Sequence, residues 1–229
     1  MDPKKLFADG RFSALCVYCG GIPSTADHVP SRVLLDEPYP DNLPVVQACA
    51  ACNNGFSVDE PYLACLVECA LVGSADPNSV VRPKIKRILE ERPTLASQIA
   101  ACRREDGAGN ACWEADVVRV KNVVLKLARG HAAYECSEPR LEMPGRVSFV
   151  PLCALSAEQI RSFEESPAEI VWPEVGSRAF QRAITSLGNV PRNGWQVVQP
   201  QRYRYLVYHS GPMVVRFVLS EYLACEVVW

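Results

Sequence analysis

Histidine is scarce in this chain, with three residues among 229, so the place of each one carries weight. Long apolar runs are missing too. The most apolar helical stretch, residues 62–72, is too short to span a bilayer and carries Glu68, so no membrane segment is expected. An excess of basic charge is absent. The net charge of −2 provides no global basic field of the kind free DNA-binding proteins show. The opening "MDPKKLFADGRFS" has no apolar core segment, which argues against a secretory signal and for a cytoplasmic protein. An even cysteine count is lacking as well: there are eleven. A secreted disulfide framework would want an even set and an export signal, so a reducing compartment fits better. Repeats and low-complexity tracts do not occur. With 48% hydrophobic and 22% charged residues, the composition is that of a soluble globular protein able to bury a sizeable core.

The cysteines that are present are not scattered at random. "CVYC" places Cys16 and Cys19 two residues apart, and "CAAC" repeats that spacing at Cys49 and Cys52. A C-x-x-C knuckle turns both sulfurs toward one centre, and two knuckles complete the tetrahedral four-thiolate site that zinc prefers. Cys65, Cys69, Cys102, Cys112, Cys136, Cys153 and Cys225 have no such spacing and read as small buried thiols. The 29 residues between the knuckles exceed what a simple zinc ribbon needs. They contain Asp27-His28-Val29-Pro30, and Asn53 follows Cys52 directly.

"CVYCG", "ADHVP", "DNL" and "CAACNN", in that order, resemble the HNH (ββα-metal) endonucleases with a four-cysteine zinc site. "GFSVDEPYL" resembles the tail of bacterial members. The likeness covers about residues 14–63. It implies a metal-dependent endonuclease that hydrolyses phosphodiester bonds in nucleic acid, DNA in the first instance. His28 would be the general base, since imidazole titrates near neutral pH. Asp27 and Asn53 would hold one catalytic divalent cation, Mg2+ or Mn2+. Asn42 would brace the loop between the strands, and Cys16, Cys19, Cys49 and Cys52 would hold a structural Zn2+. Asn54 is a competing ligand, but the position next to the cysteine favours Asn53. In an extended segment Asp27 and His28 would face opposite ways.

The remainder carries no comparable signature. Ser57 to Glu60 has capping-box spacing for a helix bearing Leu63, Leu66, Val67, Ala70 and Leu71. From Arg82 to Arg104 there are seven basic residues and two acidic ones, the best candidate for a phosphate-contacting surface, with a solvated helical face as the alternative. "CWEADVVRV" reads as a strand and "KNVVLKLARGHAAYEC" as a helix, with His131 on its apolar stripe as a core histidine. "RVSFVPL" reads as a strand, Ser156 to Gln159 as a capping box, and the C-terminus as three or four strands, two joined through Ser210-Gly211-Pro212. Tyr203, Tyr205 and Tyr208 fit aromatic pairing in a sheet better than stacking on nucleic acid.

The expected fold is α+β: a zinc-stapled ββα-metal module over residues 1–63, then a mixed helical and antiparallel-sheet domain over 64–229. The alternative to the nuclease is a non-catalytic zinc-bound DNA- or protein-binding module. A nuclease subunit active only with a protein partner, in restriction or phage defence, is a third reading.

Overall fold

The structure, a computed structural model, describes residues 14–41, 43–105, 107, 111–165, 177–179 and 194–229. It is mixed α and β. Strands β1 (Thr25–His28) and β2 (Val45–Ala48) pair antiparallel, Thr25 opposite Ala48 and His28 opposite Val45. Helix α1 (Ala50–Gly55) follows at once, so the expected ββα order is present. Helices α2 (Asp59–Val72), α3 (Pro83–Glu91) and α4 (Pro93–Cys102) come next. Pro opens α3 and α4, where the missing amide hydrogen costs nothing.

Three sequence expectations change here. Of the cysteines outside the two knuckles, Cys65, Cys69, Cys136 and Cys225 are buried, but Cys102 is half-buried and Cys112 and Cys153 are exposed, since they lie at a helix end, on a short edge hairpin and in a surface turn. The stretch from Cys112 is not one strand: a short β4 (Ala111–Trp113) pairs with β3 (Arg103–Glu105), and helix α5 (Val117–Cys136) then begins. The reason is Asp116, whose carboxylate accepts from the amides of Val118 and Arg119 and caps the helix. Ser57 likewise caps nothing. Its hydroxyl donates to the Asn54 carbonyl at 2.6 Å, and Glu60 turns inward to another partner. By contrast, Ser156 and Gln159 form the expected capping box of α6 (Ala157–Glu164).

The C-terminal strands are β6 (Gln196–Gln199), β7 (Tyr203–His209), β8 (Met213–Leu219) and β9 (Leu223–Val228). With β5 (Arg146–Pro151) they form a five-stranded antiparallel sheet in the order β5-β9-β8-β7-β6. Side chains alternate across it. Tyr203, Tyr205, Val215, Phe217, Cys225 and Val227 join the main core, which α5 also enters. Leu206, Tyr208, Val214 and Val218 form a smaller cluster with Trp195 and Phe163 on the other face. Tyr203, Tyr205 and Tyr208 are all buried, which assigns them to packing.

The main core is continuous from Cys16 to Val227. The 63/64 division expected from the sequence falls inside α2. Helix α5 lies between the hairpin and the sheet: Gly130 sits so close to Val29 that an added Cβ would meet its Cγ2 at 2.5 Å, while His131 touches the sheet at Tyr203 and Tyr205. Asp36 ties the loop after β1 to the rest. Arg82 reaches it at 2.6 Å, Arg202 at 2.5 Å, and its backbone exchanges hydrogen bonds with the Gln199 side chain. Burial acts to raise the Asp36 pKa, but the two guanidinium groups prevail and hold it below the ordinary carboxylate value.

Candidate metal centre and the hairpin beside it

The four sulfurs come together from two turns. In the first knuckle, Gly20 takes φ +74° and returns its amide to the Cys16 carbonyl at 2.8 Å, a conformation that suits a residue without Cβ. The Gly21 amide then points at the Cys19 sulfur, 3.4 Å away. The second knuckle is the start of α1: Cys49 is its N-cap, and the Cys52 amide donates to the Cys49 sulfur at 3.4 Å. These amide dipoles favour thiolates. The Cys49 thiol is accordingly held down to about 7, while burial raises that of Cys52.

All four sulfur atoms lie within 4.8 Å of one another, and Cys19 and Cys49 are 3.8 Å apart. A tetrahedron with zinc–sulfur bonds of about 2.3 Å has edges of about 3.8 Å. The donor set, its spacing and its amide partners therefore fit a structural metal such as zinc. Four protein ligands leave no open position for substrate. The site clamps the first turn, which precedes β1, to the start of α1, which follows β2.

Beside this centre the sequence-predicted residues take distinct positions. Asp27 is buried, and His28, next along β1, is half-buried on the opposite face. Asn53 lies on α1, where its amide nitrogen donates to the Thr25 hydroxyl at 3.2 Å. Thr25 shares the face of Asp27, so Asn53 and Asp27 lie on the helix side of the hairpin. Asn42 is outside the described residues.

The surroundings of Asp27 were not anticipated. Tyr18 donates its hydroxyl to Oδ2 at 2.7 Å. The Lys126 ammonium lies 2.8 Å from Oδ2 and 3.1 Å from Oδ1. It also donates to Ser31 Oγ at 2.8 Å and to Glu60 Oε1, which Ser31 approaches as well. Burial, and the charge of Asp27 after it, push the Tyr18 hydroxyl well above its usual pKa, so it remains a donor. Lys126 and Glu60 were missed because nothing local marks them. Lys126 reads as one more lysine on an amphipathic helix, and Glu60 as a cap. The available signal was register: Arg119, Asn122, Lys126 and Gly130 recur at three- and four-residue steps along one face of α5. Arg119 and Asn122 both hold Asp59, and Lys126 holds Glu60 and Asp27.

As placed, Asp27 is the counter-ion of Lys126. A hard divalent cation needs carboxylate oxygens at about 2.0–2.6 Å. Those oxygens here face an ammonium and a phenol, so the residues do not fit a divalent cation at Asp27.

The basic segment from Arg82 also divides. Arg82 is 4% exposed and faces Asp36 and Glu68, and Lys84 donates to the carbonyls of Arg32 and Leu35 and to the Tyr39 hydroxyl. These two hold the fold together. Arg87, Arg92, Arg103 and Arg104 remain exposed.

Among the described residues, no helix is long and apolar enough to cross a membrane. Comparison of the chain with family models, with curated proteins and with solved structures gave no match.

Proposed function

We propose that this chain is a phosphodiester hydrolase of the HNH (ββα-metal) type acting on nucleic acid, DNA in the first instance. The observation that carries the reading is one arrangement: four converging cysteine sulfurs join the turn before β1 to α1, with His28 at the end of β1 and Asn53 directly after the last cysteine. Hydrolysis needs a base to take a proton from water at the reacting phosphorus. His28 is the residue for that task, half-buried at the strand end rather than sealed in the core as His131 is. Asn53 and Thr25 orient the helix against the strand. No step is assigned to a divalent cation at Asp27, since that carboxylate is engaged by Lys126.

That engagement favours a second reading, in which the zinc-stapled hairpin binds nucleic acid or protein without catalysis. One experiment separates the two. Zinc-loaded protein is incubated with supercoiled plasmid, single-stranded DNA and RNA, each with and without added Mg2+ or Mn2+, beside His28→Ala. Cleavage that His28→Ala abolishes, with zinc content and melting temperature unchanged, supports the hydrolase. Cleavage retained in His28→Ala, or none on any substrate, sinks it and leaves the binding module.

A further inference from the structure

We infer that the cation Asp27 holds in this protein is the Lys126 ammonium, and that the chain takes no divalent cation there. The inference does not rest on hydrolysis and stands for a binding module as well. Lys126 Nζ sits in an oxygen cage: both oxygens of Asp27 at 2.8 and 3.1 Å, Ser31 Oγ at 2.8 Å, and Glu60 Oε1. The Phe56 ring lies 5.4 Å to one side, close enough for a cation–π contact. Two carboxylates and a hydroxyl around one point form the type of donor set a hard cation would take. Here the point is already filled by a cation built into the chain.

Exchange for a free ion is disfavoured by geometry. The Lys126 side chain is 1% exposed, and α5 is held to the hairpin one turn further on, where Gly130 meets Val29. For a metal to enter, the ammonium would have to leave a cage with two negative charges and stay buried without them. Breaking a buried pair in this way is strongly unfavourable. Lys126 is therefore a positioning residue. It fixes β1, the loop at Ser31 and the start of α2 in one arrangement, and it does so without touching solvent.

The test uses the full zinc-loaded chain and Mn2+ alone as probe. In the unmodified protein, stoichiometric Mn2+ should leave the Val29 methyl resonances unbroadened, and Asp27→Asn should bind no less Mn2+ than wild type. Loss of the Val29 signals, or a wild-type Mn2+ site that Asp27→Asn removes, would overturn the inference. Lys126→Ala empties the cage and leaves two carboxylates. Mn2+ should then raise the melting temperature of Lys126→Ala by several degrees, but not that of wild type or of Lys126→Ala with Asp27→Asn. If Lys126→Ala folds and gains no Mn2+ site, the cage is not a cation site and the inference fails. If it does not fold, the Val29 signals and the Asp27→Asn comparison decide alone.

Discussion

His131 should make this fold acid-sensitive in a way that one pair of substitutions can isolate. Its ring is fully buried in α5, stacked on Tyr205 at 3.8 Å, with Nε2 2.7 Å from the Tyr203 hydroxyl and Nδ1 without a hydrogen-bond partner among the described residues. Burial alone pushes its pKa from 6.5 down to about 3. The folded state therefore keeps a neutral ring across the range where the unfolded chain takes up a proton. For a base with a depressed folded pKa, stability is full above the unfolded value and falls as pH drops toward the folded one. The slope is about 1.4 kcal/mol per pH unit, so the loss between about pH 7 and about pH 5 approaches ~2 kcal/mol. The comparator is His131→Phe combined with Tyr203→Phe. It keeps an aromatic ring in the stack and leaves no orphaned hydroxyl. Urea unfolding of both proteins, zinc-saturated and at constant ionic strength, gives stability at several pH values. Groups that titrate in both cancel in the difference. Wild type should lose about 2 kcal/mol relative to the double variant over that interval. Parallel curves would mean that the folded protein protonates His131, and the buried neutral ring would be refuted.

The metal centre makes a second prediction: purified protein should carry about one zinc per chain, and Cys16→Ser or Cys52→Ser should lower the melting temperature of the whole protein rather than release a separate N-terminal transition. Metal-free protein whose cysteine variants melt like wild type would refute the staple. Arg82→Ala should cost about 2 kcal/mol in urea unfolding, because it leaves Arg202 alone to face both Asp36 and Glu68, whose carboxyl burial already raises in pKa. A loss confined to nucleic-acid binding, with stability unchanged, would return Arg82 to a phosphate-contacting role.

What could be read from the sequence was what is local. Two matched C-x-x-C spacings brought four sulfurs together, because a knuckle is a turn of a few residues. The stripe Val120, Val123, Val124, Leu127, His131 and Tyr134 packs as its period requires, buried throughout except for Tyr134, which is half-buried at its end, and the Ser210-Gly211-Pro212 turn joins β7 to β8. Errors arose where a short signal had two outcomes. Valines after Trp113 suggested a strand, but Asp116 supplied a helix cap, and a cap fixes the chain more directly than β-propensity does. The Ser57–Glu60 spacing was present, but Glu60 had a buried ammonium to face. Arg82 and Lys84 looked like surface charge because their partners, Asp36 and the carbonyls after β1, lie 46 to 52 residues away. Lys126 and Asp27, 99 residues apart, lie beyond any local pattern.

That last distance changes how the N-terminal segment is to be understood. By itself, a zinc-stapled hairpin could be a small unit held by its metal. In this protein the face of β1 that carries Asp27 is covered by α5, and Gly130 lets the helix approach Val29 more closely than any larger residue would. Cut after residue 63, the segment would lose the ammonium that pairs with Asp27 and Glu60, the guanidinium groups that hold Asp36, and most of α2. The two carboxylates would then face water or one another. The hairpin therefore depends on α5 for its charge balance, and a metal held by the four sulfurs would close it. The two supports would act on opposite ends of one strand: the metal before Thr25, the ammonium at Asp27. Together they would hold His28 in register.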